Sequence, residues 1–232
     1  MRTDSSVLCL RTDNDLLDDH IDSHFPCHRC NLYKTAFRYV AFRGTLPAQV
    51  LFIGEAPGHT ENVIGRPFVG RAGDILDCLI KNSIRKTSYY TYGITNVICC
   101  LPVNPDDIHH FRKPGSHEMA ACRPRLLDIT RKCDPKLIVL LGKVAEKGFP
   151  IQDVEPPCIP LQHPAYILRK GGVGTKEYDH NLSSLVEGLK TYVKKKKKQL
   201  KKEDKSRGNK KQAKRNLSTE RKKKIKKRTR KK

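Results

Sequence analysis

Short apolar runs alternate with amphipathic stretches through the middle of the chain. Val50 to Ile53 (VLFI) is a continuous apolar tetrad that runs straight into Gly54-Glu55-Ala56-Pro57-Gly58. That is the pattern of a strand buried on both faces and ending in a loop. Asp74 to Ile80 places Ile75, Leu76, Leu79 and Ile80 at helical spacing, and Thr91 to Cys99 predicts a second strand. Ser116 to Lys132 predicts a helix, with Ser116 as its N-cap and Met119, Leu126, Leu127 and Ile129 on its inner face. Leu137 to Leu141 (LIVLL) is the clearest strand; Gly142 closes it and a short helical stretch follows. Ile159 to Leu161 is a weaker strand before His163-Pro164, and Tyr178 to Val193 predicts a final helix. Strand and helix in alternation imply an α/β fold of three layers, with helices on both faces of a central, mainly parallel four-stranded sheet. Ligands of such sheets bind beyond the carboxyl ends of the strands. Three loops belong there: Gly54 to Gly58, the end of the second strand around Asn96, and the His163 loop.

Charge divides the chain into unlike parts. Its 232 residues carry 47 Lys/Arg against 24 Asp/Glu, a formal net charge of +23, yet residues 194–232 alone hold 23 of the cations and only three acids. The rest has a net charge of +3, so the folded body is close to neutral. Residues 194–232 contain no aromatic residue, and Leu200, Leu217 and Ile225 are their only sizeable apolar groups. Such a tail cannot bury enough surface to fold alone and is expected to be disordered. A segment so basic binds polyanions, nucleic acid rather than a membrane surface because no apolar stripe accompanies it. In a nucleated host the same residues would serve as a nuclear localisation signal; otherwise a cytoplasmic, nucleoid-associated protein is expected. No window approaches the ~18 apolar residues of a membrane span. The first 24 residues are dotted with Asp, Arg and His rather than forming a signal core. The expected organisation is an extension over 1–20, one domain over 21–193 and the tail over 194–232.

Nine cysteines in a reducing compartment argue for metal ligation rather than a disulfide framework. Cys27-x-x-Cys30 has the spacing of a ligand hairpin, and by spacing alone four thiolates would suit zinc.

Four segments taken together carry a resemblance: GEAPGHTENVIGRPFVGRAGDILD (Gly54 to Asp77), TNVICC (Thr95 to Cys100), AACRPRL (Ala120 to Leu126) and HPAYILR (His163 to Arg169). Over about Cys27 to Arg169 the chain resembles the uracil-DNA glycosylase superfamily, and within it the iron-sulfur family 4 enzymes most closely. The resemblance implies a DNA repair enzyme, a monofunctional glycosylase that flips uracil out of DNA and hydrolyses its N-glycosidic bond, leaving an abasic site. A non-catalytic or covalently trapping iron-sulfur DNA-binding member of the superfamily is the alternative. No lysine is placed by any motif for Schiff-base lyase chemistry. The substrate partner would be single-stranded or duplex DNA containing uracil, bound by a monomer with a possible replication or repair protein partner.

Residue by residue, the resemblance makes Phe68 the ring on which uracil stacks and Asn96 the amide that pairs with its O4 and N3. His163 becomes the donor to O2 as negative charge develops there. In better-known relatives an aspartate orients the attacking water, but its position here is Ala56. Glu55 is the nearest carboxylate to replace it, aided by the backbone of Gly54 to Ala56. Glu61 is expected to form the wall that meets the 5-methyl of thymine. Cys27, Cys30, Cys100 and Cys122 would hold a 4Fe-4S cluster, with Cys99 an alternative to Cys100. Cys9, Cys78, Cys133 and Cys158 would be ordinary thiols. The loop between Cys100 and Cys122 is longer than the family pattern and contains His109, His110, Arg112 and Lys113. Arg112, Lys113 and Arg169 are expected to face DNA. One branch of the superfamily uses a histidine in an enlarged loop here to trap deoxyribose, but its basic stretch ending in histidine is not matched.

Overall fold

The computed structural model describes residues 27–88, 90–104 and 107–192. The 1–20 extension, Cys9 and the 194–232 tail lie outside the described residues, as does the side chain of His109. In chain order the elements are β1 (Arg43–Gly44), β2 (Val50–Gly54), α1 (His59–Ile64), α2 (Arg71–Lys86) and β3 (Tyr92–Asn96), then the hairpin of β4 (Val103–Asn104) and β5 (Asp107–Phe111). After it come α3 (Ser116–Cys133), β6 (Leu137–Leu141), α4 (Lys143–Gly148), β7 (Cys158–Leu161) and α5 (Pro164–Arg169). A last helix, α6, covers 176–192.

The main sheet has the order β1-β3-β2-β6-β7. The four strands expected from the apolar runs pair in parallel, and a short antiparallel edge strand, β1, adds to them on the β3 side. All five residues of β2 and all five of β6 are buried, which is why both segments are continuously apolar. Alternate side chains enter two cores. Val50, Phe52, Leu137, Val139 and Leu141 pack with α2, α5 and α6, while Leu51, Ile53, Ile138 and Leu140 pack with α3 and α4. The three-layer α/β architecture follows directly.

Three boundaries differ from expectation for local reasons. The second strand stops at Asn96, because Val97 to Cys100 is buried in the α3-side core instead of pairing further. Helix α3 is capped by Gly115, whose N–H is accepted by the Glu118 carboxylate at 2.7 Å, so Ser116 is already inside the helix. Its buried face is Cys122, Arg125, Leu126, Ile129, Thr130 and Cys133, leaving Leu127 only half-buried. The helix ends where Asp134 turns left-handed at φ 44° before Pro135. Cys78, expected as an ordinary thiol, is buried on α2 and disulfide-bonded.

Strand β2 lies between β3 and β6, so the connections leaving β2 and β6 diverge at their carboxyl ends. This switch point is where a doubly wound sheet opens a crevice. Gly54, Asn96, Gly142 and His163 all lie at that end of the sheet.

Candidate active site and thiol centre

Gly54 ends β2 at the switch point. A Cβ there would stand 2.4 Å from Asn96 Oδ1 and 2.5 Å from Phe68 Cζ, so only glycine lets the amide and the ring both close on the strand end. Asn96 is 1% exposed. Its Oδ1 and Nδ2 are both buried with no hydrogen-bond partner among the described residues. Orphaned buried polar atoms each cost about 1–3 kcal/mol, and such atoms in a native site mark a place built for something else.

Phe68 is buried and adopts a left-handed backbone at φ 54°, a strained state for a bulky residue that costs about 1–3 kcal/mol and must be held by its surroundings. Glu61 holds it. One carboxylate oxygen accepts from Val69 N at 2.9 Å and Gly70 N at 2.8 Å, and the other from Gly58 N at 3.1 Å. Gly73 admits the turn from the far side, since a Cβ there would lie 1.8 Å from the Phe68 carbonyl oxygen.

His163 follows β7 and caps α5, whose first residue is Pro164. Its Nδ1 accepts from Ala165 N at 3.1 Å. That bond fixes the tautomer: with Nδ1 an acceptor, the neutral ring carries its proton on Nε2. Burial, with a smaller contribution from Arg169, lowers the His163 pKa to about 4. The ring therefore stays neutral at physiological pH while still offering a donor. Its centroid is 5.8 Å from that of Phe68, the planes 34° apart. Gly142, at φ +87°, leaves room for it, because a Cβ there would stand 2.9 Å from His163 Cβ. A cavity of ≈ 470 Å³ opens beside His163 and is lined by Lys143, Gln162, Tyr166 and His180 among others.

Glu55 is half-buried at the rim. Desolvation raises its pKa and the nearby Lys113 ammonium opposes the rise. The carbonyls of Gly54 and Glu55 accept from Val97 N (2.9 Å) and Ile98 N (3.3 Å), which leaves the expected backbone water site with two of its acceptors already engaged. Ala56 packs against the α3-side core.

On that side of the sheet, Cys27, Cys30, Cys99, Cys100 and Cys122 are all free thiols. Cys99 Sγ is 3.7 Å from Cys122 Sγ. Burial raises the Cys30 pKa, and the neighbouring Cys122 and Cys27 push it further the same way. Cys122 is raised first by its hydrogen bond with Cys99 and then by burial. Cys99 is pushed up to about 12, chiefly by burial. Among the described residues no three His, Cys, Asp or Glu side chains converge as they would on a single ion. Arg125, one turn after Cys122 on α3 and 1% exposed, donates to Asn96 O at 2.5 Å, Thr95 Oγ1 at 3.1 Å and Ala41 O at 3.2 Å. Helix α3 thus ties the thiols to the backbone of Asn96.

Residues 42–185 match the sequence family described as the uracil DNA glycosylase superfamily. The chain belongs to that superfamily. Similar relatives include the type-4 uracil-DNA glycosylase of Thermotoga maritima, 34% identical over 185 residues, 73% of this chain and 90% of the relative. That of Archaeoglobus fulgidus is 37% identical over 141 residues, 60% of this chain and 66% of the relative. That of Saccharolobus solfataricus is 38% identical over 129 residues, 56% of each. The chain therefore spans between about half and nine-tenths of the lengths of these relatives.

Of the residues that the superfamily motifs single out, Gly54, Phe68, Asn96 and His163 are brought together. Glu61 lies behind Phe68 with both oxygens committed to backbone amides, so the expected wall is in the first place a clamp. Arg112, expected to face DNA, spends its guanidinium on a bidentate pair with Glu118, at 2.5 and 2.9 Å, and on the carbonyl of Val103. Lys113 and Arg169 remain exposed. Arg125 has no motif of its own within AACRPRL; its place on the buried face of α3, between Cys122 and Leu126, is the sequence signal that marks it.

Proposed function

We propose that this chain excises uracil from DNA by hydrolysing the N-glycosidic bond. The observation that carries the reading is the Asn96 amide, wholly buried with both polar atoms unpartnered. Uracil offers the complement, an O4 acceptor for Nδ2 and an N3–H donor for Oδ1, whereas cytosine presents the opposite pattern at both positions. The extruded base stacks on Phe68 and points O2 toward His163. Water adds to C1′, the C1′–N1 bond breaks, and its electron pair leaves with uracil as an anion that the Nε2–H of His163 stabilises. Glu55, made more basic by desolvation, orients the water and takes its proton. Among the described residues no helix is long and apolar enough to cross a membrane.

Incubation with uracil-containing single strands and U:G duplexes, followed by alkali, should give strand breaks at the uracil. No alkali-dependent product from either substrate would overturn the reading. Glu61→Ala frees the Val69 and Gly70 amides that hold Phe68 left-handed, so the excision rate should fall about 10- to 100-fold. Glu61→Gln, which keeps an acceptor for those amides but turns an NH₂ group toward Gly58 N, should lose less. Equal rates for wild type and the alanine variant in single-turnover assays would refute the clamp.

Cys27, Cys30, Cys100 and Cys122 are the residues proposed to hold a 4Fe-4S cluster, which when bound would pin the N-terminal segment to α3. Support comes from the donor set: all four are free thiols, and Cys122 and Cys27 lie close enough to Cys30 to push its acidity in the same direction as burial does. Protein purified without air should be brown, absorb broadly near ~400 nm and contain about four irons per chain. Colourless protein with one zinc would overturn the assignment. Cys100→Ser should lose the colour and Cys99→Ser keep it; the reverse would make Cys99 the ligand. The 194–232 tail is proposed to bind DNA non-specifically, or to act as an import signal if the host has a nucleus.

A further inference from the structure

Among the described residues, none of the hairpin of β4 and β5 joins either core cluster. Its register sets Val103 opposite Phe111; Val103 is buried, whereas Phe111 is 52% exposed. The Phe111 ring lies 6.3 Å from that of His59, with the planes tilted by 55°. His59 is itself exposed and begins α1 directly after Gly58, whose N–H the Glu61 carboxylate holds. Two residues beyond Phe111, Lys113 acts on the charge of Glu55 at the pocket rim. The Arg112–Glu118 pair and the bond from Arg112 to Val103 anchor this end of the hairpin to α3. An aromatic pair open to solvent is therefore held next to the mouth of the uracil pocket, with an exposed cation beside it.

We propose that Phe111 and His59 form a stacking platform for an unpaired nucleobase adjacent to the target uracil, so that the hairpin favours single-stranded over duplex substrate. The proposal rests on the uracil-excision reading and adds to it a determinant outside the pocket. Every base has an apolar face, so aromatic rings beside a cation grip single strands without reading sequence. In a duplex the neighbouring bases remain stacked on each other and offer no free face. The selectivity is assigned to the ring face of Phe111, which carries no charge and neutralises no phosphate.

The test uses the full chain and a 15-nucleotide single strand in which the target is 2′-fluoro-2′-deoxyuridine, so that it is bound but not cleaved. A second strand carries baseless tetrahydrofuran nucleotides on both sides of the target. Stacking on aromatic side chains contributes about 1–3 kcal/mol per base, so Phe111→Ala should weaken binding of the first strand roughly 5- to 150-fold. Binding of the baseless strand and of a U:G duplex should change less than about two-fold, and Phe111→Trp should restore the single-strand affinity. The salt dependence of binding should be the same in wild type and Phe111→Ala. Equal affinity of wild type and Phe111→Ala for the first strand would overturn the proposal. So would an equal loss on the baseless strand, which would mean that Phe111 supports the fold or another contact. Because these are binding measurements, they stand apart from excision: absence of strand breaks in wild type refutes the enzyme reading, whereas an unchanged Phe111→Ala affinity in an active protein refutes the platform alone.

Discussion

Asn96→Leu should make the protein more stable and abolish excision. The native amide is 1% exposed with Oδ1 and Nδ2 both unpartnered, and orphaned buried atoms cost about 1–3 kcal/mol each. Leucine has nearly the same shape and no polar atoms, so the melting temperature should rise by a few degrees. The excision rate should fall at least ~1,000-fold, because a site that exchanges two hydrogen bonds for apolar surface strands the polar edge of uracil. Thermal unfolding with single-turnover kinetics on the same preparation measures both. A fall in melting temperature would mean that the amide stabilises the free protein, and the central argument for a ligand at Asn96 would fail.

His163→Ala should lower the excision rate about 100- to 1,000-fold, the usual cost of losing one donor to developing negative charge. It should cost about 1 kcal/mol of stability as well, since the Ala165 N–H loses its cap. The pH dependence distinguishes this histidine from an ordinary one. With its pKa near 4, against about 6.5 for an unperturbed imidazole, His163 is neutral and competent throughout the neutral range. Its contribution to the rate should be level from pH 8 down to about 5.5 and decline only as pH nears 4. Between about 6.5 and 4 the unfolded chain binds a proton that the folded one refuses, so stability falls as pH drops through that window. Both the rate decline and that part of the stability slope should disappear in His163→Ala. A wild-type rate that halves near pH 6.5 would show an imidazole not depressed by burial.

The outline of this molecule is legible in its sequence wherever burial is two-sided or a loop needs special geometry. VLFI and LIVLL cannot be amphipathic helices of useful length, and they are the two central strands. Gly54, Asn96 and His163 sit at strand ends because a parallel sheet sends all its carboxyl ends one way. The misses arise where tertiary partners, not local pattern, decide the outcome. β1 is two residues, Arg43–Gly44, with no alternation to detect; Arg43 is held by Asp77 of α2 at 2.5 Å. Arg125 is a charged residue among apolar helix positions, and only the fold reveals that its targets are the backbone and side-chain oxygens around Asn96. The intramolecular partners of Glu61 and Arg112, 8–9 and 6 residues away, come in addition to the roles that the motifs assign to these residues. A glutamate that accepts three backbone N–H groups and an arginine that pairs an acid look, in one dimension, like any exposed charge.

The Glu61 clamp also governs where a chain of this kind could change length. Because one carboxylate reaches back to Gly58 and forward to Val69 and Gly70, the stretch between is a chord of fixed span. Adding or deleting one residue would swing Phe68 out of its left-handed turn and off the strand end. The segment from Val103 to Phe111 closes on itself as a hairpin, and Arg112 fastens its end to α3. Insertions and deletions should therefore accumulate between the cysteines that flank the hairpin and be absent between Glu61 and Gly70, which would let descendants of one pocket diverge in the strands they prefer without altering the base they read.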